Sequence, residues 1–394
     1  MNVPKLRFKE FTDEWKQTPL KNIIYSNIIE APKPTTDYIR LGIRSHCKGT
    51  FHELVKIENI LSADKMYIVP KNNLILNITF AWEQAIAITD DNDEGKYISN
   101  RFPTFAFKDN QLPTFYKYII PQKRLKYDLN VASPGGAGRN RVLNKKLFLS
   151  IPVNIPLLKE QEKIANFLST VDKKIENLEN TITSLENQKK GLLQQIFSQK
   201  LRFKDKNGNN YPNWEKKKLG DITTSYSGGT PSVNVKDYYN GTIPFIKSGE
   251  IHNSFTETFI TETGLNSSSA KLVKKGDLLF ALYGATSGDT SISKINGAIN
   301  QAILCVRSTT LNLHYLYQLL NFYRNKLLSI YLQGGQGNFS ATIFKNLIFN
   351  FPCLEEQTKI ADFLSAFDRK LENQKAQLEH WQQIKKGLLQ QMFV

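Results

Sequence analysis

Apolar residues fall at Ile164, Leu168, Val171, Ile175, Leu178, Ile182 and Leu185 with spacings that alternate between four and three, and again at Leu192 and Ile196. That alternation is the a/d seam of a heptad helix. A second stretch repeats it with Ile360, Leu364, Phe367, Leu371, Leu378, Trp381, Leu388 and Met392, Gln374 being the polar position among them. Each stretch predicts a helix of about 35 residues, roughly 50 Å long at about 1.5 Å per residue. Lys189 and Lys385 stand where each seam calls for an apolar residue. An ammonium there is costly unless it reaches water or meets an acid. A seam needs a partner, and the economical partner of each is the other. If a two-fold relation connects the halves of the chain, the pair is antiparallel; a parallel homodimer through either helix is the alternative.

Between the seams the pattern changes to short apolar runs such as 74–81 and 277–283, bounded by turn signals such as Gly228-Gly229-Thr230-Pro231 and Lys275-Gly276-Asp277. Short β-rich runs mixed with helical patterning predict α+β modules.

The chain also repeats itself. Leu6-Arg7-Phe8-Lys9 recurs as Leu201-Arg202-Phe203-Lys204, and Trp15 with Leu20-Lys21-Asn22-Ile23 recurs as Trp214 with Leu219-Gly220-Asp221-Ile222. Glu160-Gln161 and Lys163-Ile164-Ala165 return as Glu356-Gln357 and Lys359-Ile360-Ala361. Lys189-Lys190-Gly191-Leu192-Leu193-Gln194-Gln195 is identical to the run from Lys385 to Gln391. A period near 196 residues is too long for a solenoid, so each repeat is half a molecule. The expected organisation is a first module over 1–158, a central heptad helix over 159–197, a second module over 198–354 and a closing heptad helix over 355–394. The interiors, 39–130 and 238–330, share only a few apolar positions. Two similar frames are thus expected to hold two dissimilar inserts.

Charge sharpens this division. Of 52 basic and 36 acidic residues, 23 and 15 lie in 1–158 and 17 and 9 in 198–354, an excess of eight in each; the two heptad segments carry six of either sign. A chain with a net charge of +16 and its whole excess in two blocks fits two modules that face a polyanion. Near the end of each insert lies a glycine cluster, 135–138 and 334–337, where backbone can approach a phosphate or simply turn. Asn338 or Ser340 is placed to cap a short helix starting at Ala341. The side chains suited to base edges and backbone are Arg40, Arg44, Arg139, Asn140 and Arg141 in the first half. In the second they are Lys247, Tyr283, Thr286, Gln301, Gln333, Gln336 and Asn338. Any single one of these also reads as an ordinary surface residue.

Catalytic patterns are missing from the sequence: there is no P-loop, dinucleotide fingerprint, H-E-x-x-H or paired C-x-x-C. The run from Asp90 to Gly95 reads as an acidic turn between strands. Cys47, Cys305 and Cys353 are odd in number and widely spaced, which suits reduced, buried thiols rather than disulfides or a metal site. With no long apolar stretch, the chain is expected to be soluble and cytoplasmic.

Taken together these residues resemble the specificity subunit of type I restriction-modification enzymes, over the whole chain. The most specific elements are the proline followed by Glu-Gln ahead of each helix (Pro156 with Glu160-Gln161, Pro352 with Glu356-Gln357), the Lys-Lys-Gly-Leu-Leu-Gln-Gln helix ends, and Gly229-Thr230-Pro231-Ser232. Ser268-Ser269-Ala270-Lys271, Tyr283-Gly284-Ala285-Thr286 and Asn300-Gln301-Ala302 look like a common recognition type. In the first insert Ile78-Thr79-Phe80-Ala81-Trp82-Glu83 stands where the Tyr-Gly-Ala-Thr element is due, which adds Thr79 and Trp82 to the candidates. The resemblance implies an α+β fold, with two pseudo-repeated target-recognition domains separated by two long antiparallel coiled-coil helices. It implies a non-catalytic subunit that reads a bipartite site in double-stranded DNA. Two methyltransferase subunits and nuclease/translocase subunits would assemble on it, with S-adenosylmethionine, ATP and Mg held by those partners and no cofactor in this chain. A self-associating coiled-coil DNA-binding protein without restriction partners is the alternative.

Overall fold

In the computed structural model of the chain, residues 3–59, 65–135, 141–331 and 338–393 are described. Two compact units emerge, Met1–Glu179 with Gln377–Val394, and Asn180–Ala376. Residues of each heptad stretch fall in both units.

Both units are framed in the same way. In the first, strand Lys16–Pro19 pairs antiparallel with Pro152–Ile155; in the second, Glu215–Lys218 pairs with Ile348–Phe351. Inside the first frame, one sheet runs in the order Ile24–Ser26, Thr104–Phe107, Leu74–Leu76, Ile86–Ile88. Inside the second, the order is Thr224–Ser227, Ile303–Arg307, Leu278–Ala281, Thr290–Ile292. A further sheet in each unit contains a parallel pair, Tyr38–Ile43 with Tyr97–Ile98 and Tyr239–Ile246 with Gly297–Ile299. The expectation of dissimilar inserts is therefore corrected: the two share a topology, and the first adds the strand Ile29–Ala31 at one sheet edge. Burial accounts for this. A core strand needs only apolar residues facing inward, so Leu74, Ile75 and Leu76 do the work of Leu278, Leu279 and Phe280 without sequence identity.

The helices over the sheets differ for a local reason. In the second unit Leu313–Tyr331 is one helix of 19 residues. In the first, Pro121 divides the same region into Pro113–Ile119 and Lys123–Val131, because a proline lacks the N–H a helix interior requires and disfavours helical geometry before it. A short capped helix then closes each unit. Asn144 accepts from the Lys146 and Leu147 N–H groups ahead of Lys145–Ser150, and Ser340 from the Ile343 N–H ahead of Ala341–Asn346.

The long helices span Leu158–Phe197 and Leu354–Gln391. Of the seam residues, Ile164, Leu168, Val171, Leu178, Ile182, Leu185, Ile360, Leu364 and Leu371 are buried, and Ile175, Phe367, Leu378 and Trp381 are half-buried. Within each unit the two helix segments run antiparallel. In the first, Met392 packs with Ile164 and Leu168 while Lys385 reaches Asp172 at 2.7 Å. In the second, Ile196 packs with Ile360 and Leu364 while Lys189 bonds to Asp368. The two lysines that interrupt the seams thus both find acids, and they find repeat-equivalent ones. Tyr118 donates to Asp172 at 2.9 Å and Gln318 to Asp368 at 2.6 Å, so each carboxylate has a second donor.

The other repeated motifs form one buried network, present twice. Arg7 makes a bidentate pair with Glu160 at 2.7 and 2.8 Å, and the Trp15 indole N–H donates to the same carboxylate at 3.2 Å. Arg202 and Trp214 hold Glu356 alike, at 2.8, 2.8 and 3.1 Å. Hydrogen bonding to the carboxylate raises the pKa of each arginine against the opposing effect of desolvation. The adjacent glutamines, Gln161 and Gln357, accept from the Leu112 and Asn312 N–H groups and donate to the Pro156 and Pro352 carbonyls. The recurrence of Leu-Arg-Phe, Trp and Glu-Gln is that of one polar joint between module and helix, whose members satisfy one another.

Of the three cysteines only Cys305 is fully buried; Cys47 and Cys353 are half-buried, and all three are free thiols. No helix of the described residues is long and apolar enough to cross a membrane.

Candidate nucleic-acid interface

Hydrogen bonds tie four segments together at one end of each module, all through backbone in the first and partly through side chains in the second. In the first, Ile78 N–H donates to Arg101 O (3.0 Å), Leu143 N–H to Ile78 O (2.9 Å) and His46 N–H to Glu83 O (2.7 Å). In the second, Leu282 N–H donates to Ala302 O (2.8 Å) and Phe339 N–H to Leu282 O (2.7 Å), while His252 Nε2 lies 3.0 Å from Asp289 Oδ2. The segments correspond: the turn after the parallel strand, the hairpin turn, the turn after its parallel neighbour, and the approach to the short capped helix. The hairpin turns are 77–85 and 282–289, so the Thr79–Trp82 region does occupy the place of Tyr283–Thr286.

In the first module Arg44 leaves the end of its strand exposed and stacks over Phe51 at 5.1 Å, with its guanidinium bonded to the Thr50 carbonyl. Trp82 donates to the Thr79 carbonyl at 3.1 Å, and Arg141 lies 5.1 Å over its ring. Arg141 also donates to Ser133 O, Asn130 O and Asn130 Oδ1, so most of its bonding capacity holds the turn and its stacking holds Trp82. Arg40 is apart from this group: it sits mid-strand, paired with Glu53 across the ladder at 2.7 Å. Arg139 and Asn140, with the rest of the glycine cluster beyond Gly135, lie outside the described residues.

In the second module Tyr283, Gln301 and Asn338 each adjoin a residue of the backbone bonds that join Leu282 to Ala302 and Phe339, while Lys247 and Thr286 lie on the turns joined by His252 and Asp289. Lys247 is exposed in the position equivalent to Arg44, immediately after the strand. Its N–H bonds to Glu250, and Thr286 O closes the hairpin turn by accepting from the Asp289 N–H at 2.9 Å. Burial raises the Tyr283 phenol pKa. Gln301 is exposed and accepts from Thr230 Oγ1 at 2.6 Å. Asn338 precedes the Phe339 that anchors the segment to Leu282; Gln333 and Gln336 lie outside the described residues.

Three exposed residues of the first module were missed by sequence reasoning: Phe80 at the hairpin tip, and Asn100 and Arg101 after the strand Tyr97–Ile98. Their signal was positional. Asn100 stands where the second module has Gln301, a correspondence visible once the strands are matched.

Arginine, lysine, amide and aromatic side chains on turns at one end of a sheet scaffold, present twice, define a class: a two-module reader built on a helix pair. Sequence and structure comparisons give the particular family. The chain matches "Type I restriction modification DNA specificity domain" over residues 17–187 and again over 211–380, and it belongs to that family. It is 25% identical over 377 residues to the type I restriction enzyme MjaVIII specificity subunit of Methanocaldococcus jannaschii, covering 91% of this chain and 84% of that one. It is 25% identical over 351 residues to the EcoR124I/EcoR124II specificity subunit of Escherichia coli, covering 81% of each. In fold it is similar to the type I restriction-modification S subunit from M. genitalium, with a TM-score of 0.67 at 14% identity, covering 100% of this chain and 99% of that one. The chain is thus a specificity subunit of a type I restriction-modification system, with two recognition domains.

Proposed function

We propose that this chain is the non-catalytic reader of its system, in which each module recognises one half of a bipartite site in double-stranded DNA. Two methyltransferase subunits and nuclease/translocase subunits assemble on it and carry S-adenosylmethionine, ATP and Mg. The observation that carries the reading is the four-segment platform, built with the same topology in both modules but furnished with different side chains. Equal frames with unequal contacts suit two half-sites of different sequence. The equal excess charge of the modules supports phosphate contact by each, and the neutral helices suit the parts that hold the readers and receive partner proteins.

The reading is tested by mapping modified bases in cells that carry the chain with its methyltransferase. A methylated motif of two short sequences separated by an unspecified gap is expected. Exchange of the first module for that of a relative changes one sequence and leaves the other; a change in both overturns the modular reading.

A further inference from the structure

Four sequence elements of the second module meet at one point. A Cβ on Gly228 would lie 1.8 Å from the Ile299 carbonyl oxygen, and one on Gly229 would lie 2.5 Å from the Ser269 Cβ. Only glycines let the segment 228–231 pass between 268–270 and 299–301. The Gly229 N–H bonds to Ile299 O at 3.2 Å, and the Tyr239 hydroxyl donates to Pro231 O at 2.6 Å, which fixes both sides of the passage. Gly228, Gly229 and Pro231 are buried, whereas Thr230 between them is exposed, as is Gln301. The Asn300 side chain in turn accepts from the Ala302 N–H at 3.1 Å, pinning the backbone that carries Gln301.

The Thr230 hydroxyl donates to Gln301 Oε1 at 2.6 Å. A glutamine on a surface turn ordinarily loses rotamer freedom when it engages a base. Here one bond from a rigid segment restrains the amide, with Oε1 held toward Thr230. The Nε2 group remains a donor, and Oε1 keeps a lone pair for a second acceptance. A carboxamide offering a donor and an acceptor side by side matches the N7 acceptor and N6 amino donor of adenine in the major groove.

Resting on the reading of this module as a DNA reader, we propose that Gln301 is a specificity-determining residue that recognises an adenine in the half-site of the second module, and that Thr230 is its positioning residue. The test is selection of duplexes from a randomised library by the full chain, wild type and variants, with the half-site of the first module as internal control of folding and binding. The wild type selects an A·T pair at one position that Gln301→Ala relaxes by about ten-fold, with the first half-site unchanged. Thr230→Val relaxes the same position more weakly, and Thr230→Ser, which keeps the hydroxyl, restores it. A uniform loss of affinity in Gln301→Ala, no change at any position, or relaxation at a G·C pair overturns the base-reading role. A relaxed Gln301→Ala with an unaltered Thr230→Val overturns the positioning role alone. Failure of the wild type to select any second half-site is a different result, which removes the reading of the module itself.

Discussion

The joint between module and helix makes an asymmetric prediction. Glu160 is 2% exposed and Arg7 11%, so neither member of the pair is at the surface, but only the arginine lies near carbonyls and solvent. Arg7→Met leaves a buried carboxylate with the Trp15 N–H as its remaining donor among these three groups. Removing one partner of a buried pair in this way costs about 3–5 kcal/mol. Glu160→Gln leaves the guanidinium with the Asp13 carbonyl and a neutral amide oxygen, at a cost of about 1–3 kcal/mol. Arg7→Met combined with Glu160→Leu removes both charges, and such replacements are often close to neutral, so the double variant is expected to be more stable than Arg7→Met alone. The chain has two units, and a single unfolding midpoint need not describe both. Hydrogen exchange of the amides in 158–168 therefore reads the local opening free energy directly, with 354–364 as control. Arg202→Met should repeat the pattern at Glu356, which is fully buried, while leaving 158–168 untouched. If Glu160→Gln costs as much as Arg7→Met, or the double variant is simply additive, the buried pair is not what couples module to helix.

Three further outcomes are expected. Inserting four residues after Leu178 lengthens the helix by about 6 Å, which at about 3.4 Å per base pair should widen the unspecified gap by about two pairs in a methylation map; an unchanged gap at full activity refutes the helix as spacer. Burial pushes the Asp277 pKa up, but the two Arg307 hydrogen bonds and the Lys274 N–H outweigh it and hold the pKa below the usual 3.8. Because the folded value is depressed, the pair stabilises above the unfolded pKa and this contribution fades as pH falls through the folded one; Asp277→Asn should flatten the acid limb of urea midpoints measured below pH 3.8. Burial raises the Cys305 thiol to about 11, so a thiol reagent at pH 8 should label it only after denaturant is added.

The heptad seams and the repeat were legible because both are local or self-referential signals: spacing alone marks Ile164 to Leu185, and identity alone marks the Lys-Lys-Gly-Leu-Leu-Gln-Gln ends. Even the two misplaced lysines announced a need, for water or for an acid. Which acid was not legible, since Asp368 lies 179 residues from Lys189 and nothing but folding brings them together. The same holds for Arg7 and Glu160, whose common recurrence hinted at a partnership that their separation of 153 residues concealed. The shared topology of the inserts was hidden because core strands constrain hydrophobicity rather than identity. In the site, Arg44 and Lys247 were chosen for charge and prove to occupy equivalent turns. Arg40 was chosen for the same reason and sits mid-strand, because composition does not distinguish a strand from the turn that follows it. Asn100 and Arg101 carry no motif at all, only a place.

Selection of randomised duplexes by the full chain, repeated with Arg44→Ala and with Lys247→Ala, tests the central claim most directly. The account predicts a bipartite motif for the wild type, with Arg44→Ala weakening selection in one half and Lys247→Ala in the other. A single contiguous motif, or two substitutions that act on the same half, would contradict it.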